Sequence, residues 1–241
     1  MEAREQATGE PRGGEPASAK PTTPLEALAV LASQEVEVTP GFRHLELYTA
    51  RGLLTVLWHG SGEEQGAVIA MGGAMGGLLG PANGLYQRLG DALARDHNIA
   101  TLRISYRRPN DLDACTLDAA AAVQLAVGNG ATRVVALGHS FGGAVAVRVA
   151  VALPQMVAGV ATFATQSAGC EIAGGLGTRP FLLFHGDRDE ILPLDASMIV
   201  RDIAGTGEVV VLPGDGHLLA RSGDALAERL LTWIPATVAP A

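Results

Sequence analysis

Apolar residues in this chain fall into short unbroken runs, set apart by longer stretches that repeat every three or four residues. Residues 67–71 (Ala-Val-Ile-Ala-Met) form one run, and 133–137, 157–163 and 181–184 form others. None alternates with polar residues, which is the pattern of a strand buried on both faces. Residues 99–104 and 208–212 read as further strands. Between the runs, 83–95 carries Leu85, Tyr86, Leu89 and Leu93 at helical spacing. Helices are likewise predicted over 112–127, 141–153, 194–203 and 217–233. Earlier in the chain, the β-rich segments 44–48 and 53–58 flank Thr49-Ala50-Arg51-Gly52 and predict a hairpin. Strands alternating with helices imply right-handed crossovers. The expectation is an α/β fold: a mainly parallel eight-stranded sheet with helices on both faces. In such sheets reactive groups gather at the carboxyl ends of the strands.

The first 23 residues depart from this pattern. They mix Glu, Arg, Pro, Gly and Ala with no apolar stretch, so 1–23 is expected to be a disordered tail and 24–241 a single domain. The domain has ample apolar material for one core, since 48% of the 241 residues are hydrophobic. A net charge of −8 argues against nucleic acid or an anionic membrane as partner. Two cysteines, Cys115 and Cys170, make neither a disulfide framework nor a metal-ligand cluster. No cofactor and no metal are expected, and the cytoplasm is the expected location.

Candidate chemistry centres on Gly138-His139-Ser140-Phe141-Gly142. In a chain with 31 glycines such a motif says little alone. Here a predicted strand runs into it and a predicted helix leaves it, which is the strand–turn–helix setting of a nucleophile elbow. A serine hydroxyl needs a base beside it to attack at neutral pH. Two histidines follow Ser140 in the chain, His185 and His217. His217 lies in a loop leaving the predicted strand 208–212, on the catalytic edge, and is the expected general base. That base needs a carboxylate to fix its tautomer. The segment His185-Gly-Asp187-Arg-Asp189-Glu190-Ile-Leu-Pro193 follows another core strand and offers three acids.

From residue 45 onward the chain resembles the α/β-hydrolases, in their small, lidless, dienelactone-hydrolase-like form. It shares a GxSxG elbow, an HGxxD segment running into a hydrophobic-Pro step, and a GxGH loop, in the order Ser, acid, His. The resemblance makes Asp189 the triad acid, with Asp187 the alternative; Glu190 is expected to point the other way along the loop. His185 then marks a strand end and bonds locally. The oxyanion hole would use the backbone N–H of Phe141 and one from Met71-Gly-Gly-Ala-Met-Gly-Gly77, taken at Gly73 with Ala74 as alternative. The lactone hydrolases typically carry a cysteine nucleophile, whereas this chain has Ser140, which favours ordinary esters.

Only residues 166–179 stand where such folds insert a lid, too few for a helical cap. The site is therefore expected to be open and edged by Met75, Phe141, Gln166 and Leu192. The expected function is cleavage of small to medium acyl esters through a Ser-His-Asp triad and an acyl-enzyme, with a small-molecule ester as partner. An acyltransferase or thioesterase with the same triad is the nearest alternative. A non-catalytic binding protein on this scaffold is the other.

Overall fold

A computed structural model describes residues 22–240; most of the expected tail, residues 1–21, lies outside the described residues. The chain runs α1 (Pro24–Leu28), β1 (Val30–Thr39), β2 (Phe42–Thr49), β3 (Gly52–His59), β4 (Gly66–Met71), α2 (Pro81–His97), β5 (Ile99–Ser105) and α3 (Leu112–Gly128). It continues with β6 (Arg133–His139), α4 (Phe141–Ala152), β7 (Val157–Phe163), β8 (Phe181–Gly186), α5 (Asp195–Ala204), β9 (Glu208–Leu212) and α6 (Gly223–Val238). The strands form one sheet in the order β1-β2-β3-β5-β4-β6-β7-β8-β9. The first three pair antiparallel, β3 meets β5 antiparallel, and from β5 onward every pairing is parallel.

Successive residues of the central strands feed two separate cores. Ala67, Ile69 and Met71 of β4 pack with α1, α3, α4 and α5 on one face. Val68 and Ala70 pack with α2 and α6 on the other. All six residues of β4 are buried, which explains its unbroken apolar run. Cys115 on α3 and Cys170 are buried in the first of these cores as free thiols.

The sheet has nine strands where eight were expected. The extra one is β1, a ten-residue edge strand exposed along its whole length. With no face buried, it lacks the apolar run that marks the others. Just before it, Thr23 and Glu26 form a reciprocal capping box that starts α1, so Thr23, expected in the tail, caps the first helix.

Two helix starts also differ from expectation. In α2 the chain turns through left-handed Ala82, Asn83 and Gly84 before regular helix begins. The last helix starts at Gly223 and not at His217. Asp215 holds the intervening loop open, its carboxylate accepting from the Arg221 N–H at 2.8 Å and from the Ser222 hydroxyl. No described helix is long and apolar enough to cross a membrane.

Candidate active site

Ser140 stands between β6 and α4 with φ 57° and ψ −118°. This region costs a non-glycine residue on the order of 1–3 kcal/mol. Backbone bonds fix it there: the Ser140 N–H donates to the Phe163 carbonyl at 2.8 Å, and the Gly143 N–H donates to the Ser140 carbonyl at 2.9 Å. The flanking glycines answer close approaches of backbone. A Cβ on Gly138 would run into the Gly142 carbonyl, and one on Gly142 would lie 2.7 Å from the Met71 carbonyl oxygen. Side chains at either position would push α4 off the sheet.

His217 sits in the loop between β9 and α6 and is 5% exposed. Its Nδ1–H donates to Asp189 Oδ2 at 2.8 Å. Asp189 lies in the loop after β8, its side chain 1% exposed, and its Oδ1 accepts from the Ile191 and Leu192 amides at 2.8 Å each. Burial alone would raise the Asp189 pKa. The Leu192 N–H, the His217 imidazole and the Ile191 N–H outweigh it and hold the carboxyl below its usual range. His185 is fully buried, with Nδ1 2.7 Å from Ser197 Oγ and Nε2 3.1 Å from the Leu192 carbonyl.

The other two acids also latch the His217 loop, but through its backbone. Asp187 Oδ1 accepts from the Gly214 N–H at 2.6 Å. Glu190, expected to point away, instead turns toward the loop, and its Oε2 accepts from the His217 N–H at 3.3 Å. Sequence reasoning also passed over His139. Its Nε2–H donates to the His217 carbonyl at 3.0 Å, and the two imidazoles lie 4.9 Å apart. Its place inside GxSxG was the available signal.

The glycine-rich loop after β4 passes beside the serine: a Cβ built on Gly73 would sit 3.8 Å from Ser140 Cβ. The Gly76 N–H donates to the Gly73 carbonyl at 2.9 Å, closing a tight turn with Ala74 and Met75 at its tip. Two buried tyrosines anchor its root, Tyr86 donating to the Met71 carbonyl at 3.0 Å and Tyr106 to the Gly72 carbonyl at 3.1 Å. Farther along, the Arg103 guanidinium donates to the Leu78 carbonyl at 3.2 Å and to His59 Nε2 at 2.9 Å. Burial, then the Arg103 charge, lowers the His59 pKa against the pull of Asp91, which keeps Nε2 free to accept.

Ser140, His139 and His217 share one cavity of about 570 Å³ with the loop 72–80, Ile191 and Leu218. Met75 lines it. Gln166 and Leu192 do not. The Gln166 side chain donates back to the Ala168 carbonyl. Leu192 is half-buried, and its exposed neighbour Ile191 faces the cavity instead. Phe141, also expected at the edge, is buried against Tyr106. The rim is apolar and exposed: Met75 93%, Leu79 59%, Ile191 65% and Leu218 62%.

Comparison with protein-family models finds no match, and comparison with curated proteins finds none either. Solved structures do match. Est1E from Butyrivibrio proteoclasticus aligns with a TM-score of 0.68 at 17% identity, over 82% of this chain and 99% of that one. A dienelactone hydrolase from Anabaena variabilis aligns with a TM-score of 0.66 at 17% identity, over 85% and 98%. An alpha-beta serine hydrolase homologue from Coxiella burnetii aligns with a TM-score of 0.62 at 20% identity, over 79% and 96%. The chain therefore has the α/β-hydrolase fold, and its structural neighbours include a dienelactone hydrolase.

Proposed function

We propose that this protein is a serine hydrolase that cleaves carboxylic esters of small to medium acyl groups. One observation carries the reading: a serine held at φ 57° on a strand–helix turn lines the same cavity as a histidine paired with a buried carboxylate. In this mechanism His217 Nε2 takes the Ser140 proton as Oγ attacks the ester carbonyl carbon. The tetrahedral oxyanion is received by the backbone N–H groups of Phe141 and Gly73. His217 then delivers its proton to the departing alcohol, leaving an acyl group on Ser140. A water molecule, deprotonated by the same imidazole, releases the acid. Asp189, kept ionised by the amides of Ile191 and Leu192, fixes the His217 tautomer and stabilises the imidazolium.

The cavity lining favours uncharged substrates, because its side chains other than His139, Ser140 and His217 are apolar. A structure of Est1E with ferulic acid bound is among the similar folds, at 17% identity, and supports a small-molecule substrate. Between β7 and β8 only a short 3₁₀ turn at Ala173–Leu176 intervenes, which supports an open site.

The test combines fluorophosphonate labelling with hydrolysis of short aryl esters. Ser140→Ala should abolish labelling and lower kcat by several orders of magnitude. Asp189→Asn should cost on the order of 10⁴ in kcat, while Asp187→Asn, whose partner is a loop amide, should keep near-normal turnover. Full labelling of the Ser140→Ala variant would remove Ser140 from the role. A reversed order of the two aspartates would transfer the triad to Asp187.

A further inference from the structure

An imidazole base in a loop works only if its backbone is held still, and the loop's own Asp215 fixes Arg221 and Ser222 but leaves His217 to contacts from elsewhere. The loop runs from Pro213 to Ser222, carries Gly214 at φ 79° and Gly216 directly before the histidine, and bends again at Leu219 with φ 52°. His217 offers four groups for hydrogen bonding: the backbone N–H, the backbone carbonyl and the two ring nitrogens. Three are engaged by side chains from elsewhere in the chain. Asp189 takes Nδ1–H, Glu190 takes the backbone N–H, and His139 donates to the carbonyl. Nε2, the atom that the proposed function requires at Ser140, is the one left over.

We propose that His139 and Glu190 are positioning residues that brace the backbone of His217 from both sides, so that Asp189 orients the ring of a residue whose main chain is already fixed. The inference rests on His217 acting as the base. The brace joins three strand ends: His139 closes β6 next to the nucleophile, Glu190 follows β8, and His217 follows β9. His139 also limits the ring directly, packing against it at a 48° tilt. Being itself 8% exposed and flanking Ser140, it ties the base to the nucleophile's own turn. Burial pushes His139 down to about 4, so it remains a neutral imidazole whose Nε2–H is committed to the carbonyl. Glu190 acts at the surface, and its role needs an acceptor oxygen, not a charge. Misplacing a catalytic group by about 1 Å can cost on the order of 100-fold in rate. Loss of one of two braces should cost less than that.

The experiment measures kcat and KM of the full chain with p-nitrophenyl butyrate for four variants, with melting temperature as control. Glu190→Ala and His139→Leu should each lower kcat about tenfold and leave KM within about twofold. Glu190→Gln retains an acceptor and should stay within about threefold of the parent, while His139→Gln retains a donor and should recover most of the kcat lost in His139→Leu. Wild-type kcat in both truncations would overturn the proposal. So would an equal loss in the truncations and their glutamine counterparts, or a loss confined to KM. Should His139→Leu fail to fold, Glu190→Ala carries the test alone, because Glu190 is an exposed loop residue. Fluorophosphonate labelling of the parent separates the two levels. Labelling at Ser140 together with an unimpaired Glu190→Ala sinks the brace alone, whereas no labelling of the parent sinks the function reading and the brace with it.

Discussion

Ser140 spends stability on its conformation, and that cost can be separated from its chemistry. Alanine at this position keeps the unfavourable φ of 57°, whereas glycine adopts it freely. Ser140→Gly should therefore be more stable than Ser140→Ala by about 1 kcal/mol, the relief of strain less the extra chain entropy of glycine. Chemical denaturation of the two variants checks this; equal midpoints would mean that the turn is not strained. His139 makes a second residue-scale prediction. Its pKa in the fold is lowered from 6.5 to about 4, first by burial, against the bond to the His217 carbonyl. A depressed histidine contributes stability that is complete above the unfolded value and lost as pH falls through the folded one. The contribution should thus decline between pH 6.5 and 4, at about 1.4 kcal/mol per pH unit. His139→Gln should show a shallower fall in melting temperature over that window than the parent. Parallel curves would show that acid sensitivity arises elsewhere.

At the scale of elements, the loop 72–80 combines two duties. Its glycines bring backbone next to Ser140, and its tip carries Met75 into solvent at the cavity mouth. Each acyl methylene covered by such a side chain is worth about 0.8 kcal/mol. Met75→Ser should leave acetyl ester hydrolysis near normal and lower kcat/KM for hexanoyl esters roughly three- to tenfold. A uniform loss across chain lengths would instead place Met75 in support of the loop. How legible these elements are in sequence follows from what buries them. The central strands announce themselves because both faces are covered, and β7 begins and ends where its apolar run does. Strand β1 is illegible by that criterion, having no covered face. The start of α6 is illegible for another reason: a side chain, Asp215, decides it through bonds to Arg221 and Ser222. That Ser140 and His217 share a cavity, with Asp189 beside His217, could be anticipated from motif and order. The contacts of Glu190 and His139 with His217 could not, since residue spacing in a loop does not set where a side chain turns. The same limit explains why Ile191, and not Leu192, reaches the cavity.

Across the whole molecule, the nine-stranded sheet separates its two cores so completely that small residues dominate the layer around α3 and α4. Alanines 119–122 on α3 and alanines 144, 146 and 150 on α4 are buried there. Helices packed this closely leave no path for reagents, and both cysteines lie within that layer. Burial, reinforced by Asp118 for one and by Glu171 for the other, pushes the Cys115 and Cys170 thiols up to about 12. Thiolate, not thiol, is the reactive species, so neither should couple to a maleimide or to Ellman's reagent while the domain is folded. Two thiols should titrate only after denaturation, and an early reaction of either would reveal local opening of the α3–α4 layer. The practical corollary is that a single cysteine placed on the surface, for example at the solvent-exposed tip residue Met75, would be the one thiol to react. A fluorophore attached there would report occupancy of the cavity mouth without first stripping the protein of its native cysteines.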